Sequence, residues 1–169
     1  CSFNLHYSTG ELCITNISVN TLNNSSSCEL PPYKKFDQSI TTTLTGGNVY
    51  NLSVTLSDPG YVEVFIDLNR DGSFESYGLT EIVGSSYVDG TAIVNIKLPA
   101  GNIIQGLTLL RVRSHVYQSG KPPCYEVGYG ETEDYFITIN PAPDCSGLTP
   151  PINASFHHLY NSGIAFASY

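Results

Sequence analysis

Three oxygen-bearing side chains stand at every second position in Asp67-x-Asn69-x-Asp71, and Gly72 follows at once. Side chains so spaced on a loop can turn inward on one hard cation, and glycine permits the tight bend that comes next. Ser73 is placed to add a backbone carbonyl, and Glu81 is a further carboxylate downstream. The chemistry implied is structural Ca2+ binding at Asp67, Asn69, Asp71, Ser73 and Glu81. The competing reading is an acidic turn whose carboxylates cap backbone N–H groups.

The spacing matches the first half of an EF-hand loop but not the second. Position twelve is Gly78 where that loop needs a bidentate carboxylate, and no helical pattern flanks the stretch. A second acidic cluster is Glu131, Glu133 and Asp134. On a strand Glu131 and Glu133 share a face, and like charges so placed repel unless a cation or an arginine lies between them. Arg111 and Arg113 sit on a strand expected to be near, so an arginine–carboxylate network is one answer. A calcium ion shared with the Asp67 loop is the other. A glycosidase carboxylate pair finds no support elsewhere in the chain.

Other chemistries lack their residues. No G-x-S-x-G elbow and no glycine-rich phosphate loop occur. His157 and His158 are adjacent, so on a strand they face opposite ways and cannot chelate together. The five cysteines, Cys1, Cys13, Cys28, Cys124 and Cys145, contain no C-x-x-C pair, which points to disulfides in an oxidising compartment and away from zinc. Tyr33, Phe36, Tyr77, Tyr87, Tyr117, Tyr125 and Tyr129 fall in expected loops, where aromatic rings can stack on sugars or anchor a partner.

These groups must be positioned by strands. In Tyr61–Leu68, Val62, Val64, Ile66 and Leu68 alternate with Glu63, Phe65 and Asp67, a half-buried strand running straight into the acidic loop. Glu11–Val19, Val49–Leu56, Thr91–Leu98, Leu107–Val116 and Glu131–Ile139 are further strand candidates of this kind, and Ile40–Leu44 is a short Thr-rich one. In the first of these, Cys13, Thr15, Ile17 and Val19 are expected on one side. Asn20–Ser27 and Glu75–Ser86 are expected as irregular connections. No window carries a 3.6-residue stripe. Seven or so short strands separated by turn signals predict an all-β, antiparallel β-sandwich, jelly-roll or Ig-like, that contains disulfides.

Composition sets the surroundings. Of 169 residues 41% are apolar, enough for a core, whereas only 13% are charged. Seven basic residues against 15 acidic ones give a formal charge of -8, the wrong sign for a general nucleic-acid binder. No apolar run is long enough to span a membrane as a helix. With no Met and no leader, the chain is expected to be part of a longer or processed precursor.

Taken in order, the opening Cys, then ITNISV, TLNNSS, FIDLNRDGSF, LRVR, PPC and the closing Gly130-Glu131-Thr132-Glu133-Asp134-Tyr135 resemble the GEVED domain over roughly residues 1–139. Thr132 stands where that motif has Val. The Gly-Glu pair usual after the acidic loop is spread over Gly78-Leu-Thr-Glu81, and Leu109 replaces an Arg. The resemblance implies a β-rich, non-catalytic accessory module of secreted or cell-surface bacterial proteins, often of Bacteroidetes. Such modules sit beside peptidase, adhesin and fibronectin domains. Their expected tasks are adhesion, spacing, or binding of a glycan or a surface protein. A carbohydrate-binding module, a domain appended to a peptidase and a self-assembling subunit are the alternatives. The family positions of Cys1 and Cys124 imply one disulfide; Cys13 with Cys28, outside the family pattern, would then form another. Residues 140–144 read as a proline-rich linker, and 145–169 resemble the opening of a fibronectin type III repeat.

Overall fold

The computed structural model describes residues 12–28, 31–74, 81–101, 103–116, 120, 122–124 and 129–144. Among these every regular element is a strand. They are β1 (Ile14–Val19), β2 (Leu22–Ser25), β3 (Tyr33–Lys35), β4 (Thr41–Thr45), β5 (Val49–Leu56), β6 (Gly60–Ile66), β7 (Ile82–Val88), β8 (Thr91–Lys97), β9 (Gly106–His115) and β10 (Thr132–Asn140). The smaller sheet runs β2-β1-β5-β8. The larger runs β3-β10-β9-β6-β7, with β4 also on β10. The two pack face to face as the expected sandwich, and no described helix is long and apolar enough to cross a membrane.

Period-two alternation builds the core. Leu52, Val54 and Leu56 of β5 meet Val62, Val64 and Ile66 of β6 and Leu110 and Val112 of β9, all buried. Tyr135, Ile137 and Ile139 of β10 complete that layer, as their alternation predicts.

The sheets are antiparallel apart from one edge, where β3 and β4 both run parallel to β10, one after the other. The structure corrects the sequence reading in two places. The β1 alternation is interrupted by a bulge between Ile14 and Asn16, so Ile14 is buried and Thr15 only half-buried. A bulge moves every side chain beyond it to the other face, which simple alternation misses. Finally β2, β3 and β7 lie in stretches expected to be irregular. β2 is the polar run LNNS at a sheet edge, β3 has three residues, and β7 holds Gly84 in its middle.

Cys13 and Cys28 form the expected disulfide, 15 residues apart, tying the entrance of β1 to the segment after β2. A loop of that size contributes about 3 kcal/mol in the chain-entropy picture. The double variant Cys13→Ala/Cys28→Ala should lose about that much in urea denaturation. Cys124 is also disulfide-bonded. Its expected partner Cys1, like Cys145 and residues 145–169, lies outside the described residues.

Candidate functional site: the acidic loop and the charged face of the larger sheet

β6 delivers the acidic loop, and its neighbours hold the loop's backbone. Asp67 N donates to Leu109 O at 3.1 Å, and Thr108 Oγ1 donates to Asp67 O at 2.5 Å. Inside the loop each side chain serves an amide. Asp67 Oδ2 accepts from Gly72 N (3.1 Å), Asn69 Oδ1 from Asp71 N (3.0 Å) and Asp71 Oδ1 from Ser73 N (2.8 Å). Asn69 Nδ2 donates to Asp71 Oδ2 at 2.9 Å. Gly72 takes a φ of 82°, the left-handed bend its place in the motif calls for.

Two further residues hold the loop in place, Glu81 from outside it and Arg70 from within. Glu81 is fully buried, and its Oε1 accepts from Leu68 N at 2.8 Å and from Asn69 N at 3.4 Å. Arg70 reaches across with Nε on Leu107 O (2.9 Å) and Nη1 on Gln105 O (2.7 Å). One oxygen stands apart from all this. Asp67 is 3% exposed, and its Oδ1 is buried with no hydrogen-bond partner. A buried carboxylate oxygen without a partner costs about 1–3 kcal/mol or more, so a cation ligand at that point would relieve a real deficit. Among the described residues no three His, Cys, Asp or Glu side chains converge closely enough to hold a metal by themselves. An ion at Asp67 Oδ1 would therefore draw on Asn69, the Ser73 carbonyl and water as well as carboxylates.

The charged residues on the outer face of the larger sheet are buried. Across the larger sheet, on the side away from the core, register aligns Ser85, Glu63, Arg113, Thr132 and Tyr33, and beside them Phe65, Arg111, Asp134 and Lys35. Glu63, Arg111, Arg113, Asp134 and His115 are each at most 4% exposed. Arg111 grips Asp134 with two parallel bonds, Nε–Oδ1 and Nη2–Oδ2, both 2.7 Å. Its guanidinium carbon lies 4.4 Å from the Phe74 ring centroid and 5.9 Å from that of Tyr33. The Tyr33 hydroxyl donates to Asp134 Oδ2 at 2.9 Å; burial, with the Asp134 charge second, pushes its pKa up to about 12. Arg113 bonds Thr132 Oγ1 at 3.2 Å. Burial, then the charge of Arg111, brings Arg113 down to about 10, still charged at neutral pH.

The arginines also hold a loop over the sheet. Arg111 Nη1 donates to Pro123 O at 3.2 Å and Arg113 Nη1 to Pro122 O at 2.5 Å. Glu63 accepts from Gly120 N, and its other oxygen lies 3.4 Å from His115 Nε2. The motif residues thus divide between two faces. Thr132 and Asp134 face the arginines. Glu131 and Glu133 share the opposite face, as alternation predicts. There Glu131 Oε2 accepts from Ile14 N at 2.8 Å, at the bulge of β1. Glu133 Oε2 accepts from Tyr135 Oη at 2.7 Å, and Asn24 Nδ2 donates to the same hydroxyl at 3.0 Å. Burial, followed by the Glu133 charge, raises the Tyr135 hydroxyl pKa. The arginine network expected between the two glutamates is instead built on Asp134.

Of the aromatic candidates, Tyr87 (55%) and Tyr129 (46%) are well exposed, whereas Phe36 stacks on Tyr135 at 4.7 Å. Tyr77, Tyr117 and Tyr125 lie outside the described residues. Sequence reasoning missed Phe74, Glu63, His115 and the Pro122–Pro123 carbonyls. Only Phe74, closing the run DGSF, carried a signal that a longer view of the acidic loop would have found.

The structure defines a disulfide-bonded β-sandwich whose larger sheet carries a second, charged interior beneath its loops. Residues 61–138, which span this interior from β6 to β10, match the family described as GEVED domain. No curated protein matches the chain. Among solved structures, a family 123 glycoside hydrolase from Clostridium perfringens, solved in work on glycolipid glycan hydrolysis, aligns at 14% identity with a TM-score of 0.30. The alignment covers 63% of this chain and 23% of that one. A similarity that low says nothing about chemistry here.

Proposed function

We propose that this chain is a non-catalytic, calcium-stabilised accessory module of a secreted or cell-surface bacterial protein, serving adhesion, spacing or partner binding. The observation that carries the reading is the buried, unpartnered Oδ1 of Asp67 at the head of a loop whose other oxygens are already fixed. Asp67, Asn69, Asp71 and the Ser73 carbonyl would hold the ion, with Glu81 bracing the loop through its amides. The match to a small accessory domain and the disulfide at Cys13–Cys28 support the setting. The carboxylates of the second acidic cluster support the absence of catalysis, because they are buried and bonded to backbone, Arg111 or Tyr135.

Calcium at about 100 times its Kd should add about 2.7 kcal/mol and raise the melting temperature by about 5–10 °C. Asp67→Asn should abolish both the heat of binding and the shift. Calorimetry on the wild-type chain with no heat and no thermal shift would end the metal reading.

One observation favours glycan binding as the partner mode. The exposed Tyr87 ring meets Tyr61 edge-on at 5.1 Å, and Tyr61 in turn stacks on buried His115 at 6.1 Å, so the outer ring is held rigidly.

A further inference from the structure

The two signature stretches of this chain, the acidic loop and the Gly130–Tyr135 run, are some 60 residues apart, yet both touch the Arg111 side chain, through Phe74 and Asp134. Phe74 leaves the acidic loop directly after Ser73, whose amide is held by Asp71 Oδ1 at 2.8 Å. It is buried at 7% exposure with its ring against Arg111, 4.4 Å from centroid to guanidinium carbon. Arg111 is committed on its other sides to Asp134 and to Pro123 O. The contacts are therefore continuous from the loop oxygens to the Pro122–Cys124 segment.

We infer that cation binding at the Asp67 loop fixes the Arg111–Asp134 network and the Pro122–Cys124 segment above it, with Phe74 as the connecting side chain. This deepens the calcium reading and rests on it. The physical ground is geometric. A cation on Asp67, Asn69 and Asp71 restricts the turn that sets where Phe74 leaves the loop. A ring seated on the guanidinium limits how that fork can tilt away from Asp134. The coupling is reciprocal by linkage, so a partner that docks on the Pro122–Cys124 segment in its fixed form tightens calcium binding by the same factor. Phe74 is a positioning residue in this scheme and touches no ion.

The chain has three arginines, Arg70, Arg111 and Arg113, so their Nε–H resonances in a nitrogen-15 spectrum make a small and separable set. Arg70 lies in the acidic loop and reports on occupancy; Arg111 reports on the network. In the wild-type chain, calcium should shift both signals and slow solvent exchange of the Arg111 Nε–H by about tenfold. In Phe74→Leu, which keeps an apolar filler, calorimetry should still show calcium binding and the Arg70 signal should still move. The Arg111 signal should no longer respond. Calcium binding in the wild type with no response at Arg111 overturns the inference and leaves the calcium reading standing. So does a Phe74→Leu chain in which Arg111 still responds fully. No calcium binding in the wild type overturns both.

Discussion

Arg111→Met is expected to cost the domain about 3–5 kcal/mol, a large part of the roughly 5–15 kcal/mol that holds a typical domain together. Methionine fills much of the same volume against Phe74, so the loss is not mainly one of packing. It comes from Asp134, which is 1% exposed and would be left without its two short guanidinium bonds. A buried carboxylate in that position is stabilised only by what remains, chiefly the Tyr33 hydroxyl. The informative comparison is the double variant Arg111→Met/Asp134→Leu. Removing both charges removes the stranded one, so most of the stability should return even though the ion pair is still absent. The chain has no Trp and 12 Tyr, so urea unfolding is followed by tyrosine fluorescence and circular dichroism together. A loss under about 1 kcal/mol for Arg111→Met would show that water reaches Asp134 and that the charged face is not an interior. Equal losses in the single and double variants would mean that the guanidinium's other contacts, to Pro123 O and Phe74, matter more than the pair.

That face shows what could and could not be read from the residues. The alternation in β5, β6, β8, β9 and β10 was legible because each presents apolar side chains at every second position, and their inward residues match the core. The same alternation hides the charged interior. Leu109, Arg111, Arg113 and His115 read as the outward face of β9, and outward normally means solvated. Here Arg111 and Arg113 are held under Phe74 from the acidic loop and Pro122–Pro123 from a connection after β9, and His115 is buried beside Tyr61 and Glu63. No local pattern encodes that a distant loop will fold back over a strand. The pairing of Arg111 with Asp134 follows from register, which places the two residues directly opposite each other. Register depends on the bulges and turns of the whole sheet, not on the motif itself. The acidic loop was legible as a cluster of oxygens because its spacing is local. The task of Glu81, bracing Leu68 and Asn69 amides, was not, since it stands just ahead of β7 in a stretch with no regular pattern.

Gly130→Ala is expected to be the most damaging glycine-to-alanine change among the described residues, with a loss above about 4 kcal/mol or failure to fold. Two costs combine at this position. The first is conformational, because Gly130 has a φ of 142°, where a side chain is strained. The second is steric. A Cβ built on Gly130 would lie 1.9 Å from Ser114 O and 2.8 Å from Ser114 C, and both are backbone atoms that cannot rotate aside. The start of β10 would have to lift from the end of β9. That movement would break the Glu131 N bond to Ser114 Oγ at 2.9 Å and the Ser114 N bond to Glu131 O at 2.9 Å. It would also withdraw the Glu131 carboxylate from Ile14 N, releasing the bulged start of β1 on the smaller sheet. Gly90→Ala is the comparison without a clash. Gly90 has a φ of 71°, but nothing lies within 4 Å of its Cβ position, so only the backbone penalty of about 1–2 kcal/mol applies. The difference between the two variants in urea unfolding measures the close approach together with the more strongly disfavoured φ at Gly130. If Gly130→Ala lost no more than Gly90→Ala, the first residue of the motif would have no steric reason to be glycine. The seam between β9 and β10 would then be looser than the contact at Ser114 requires.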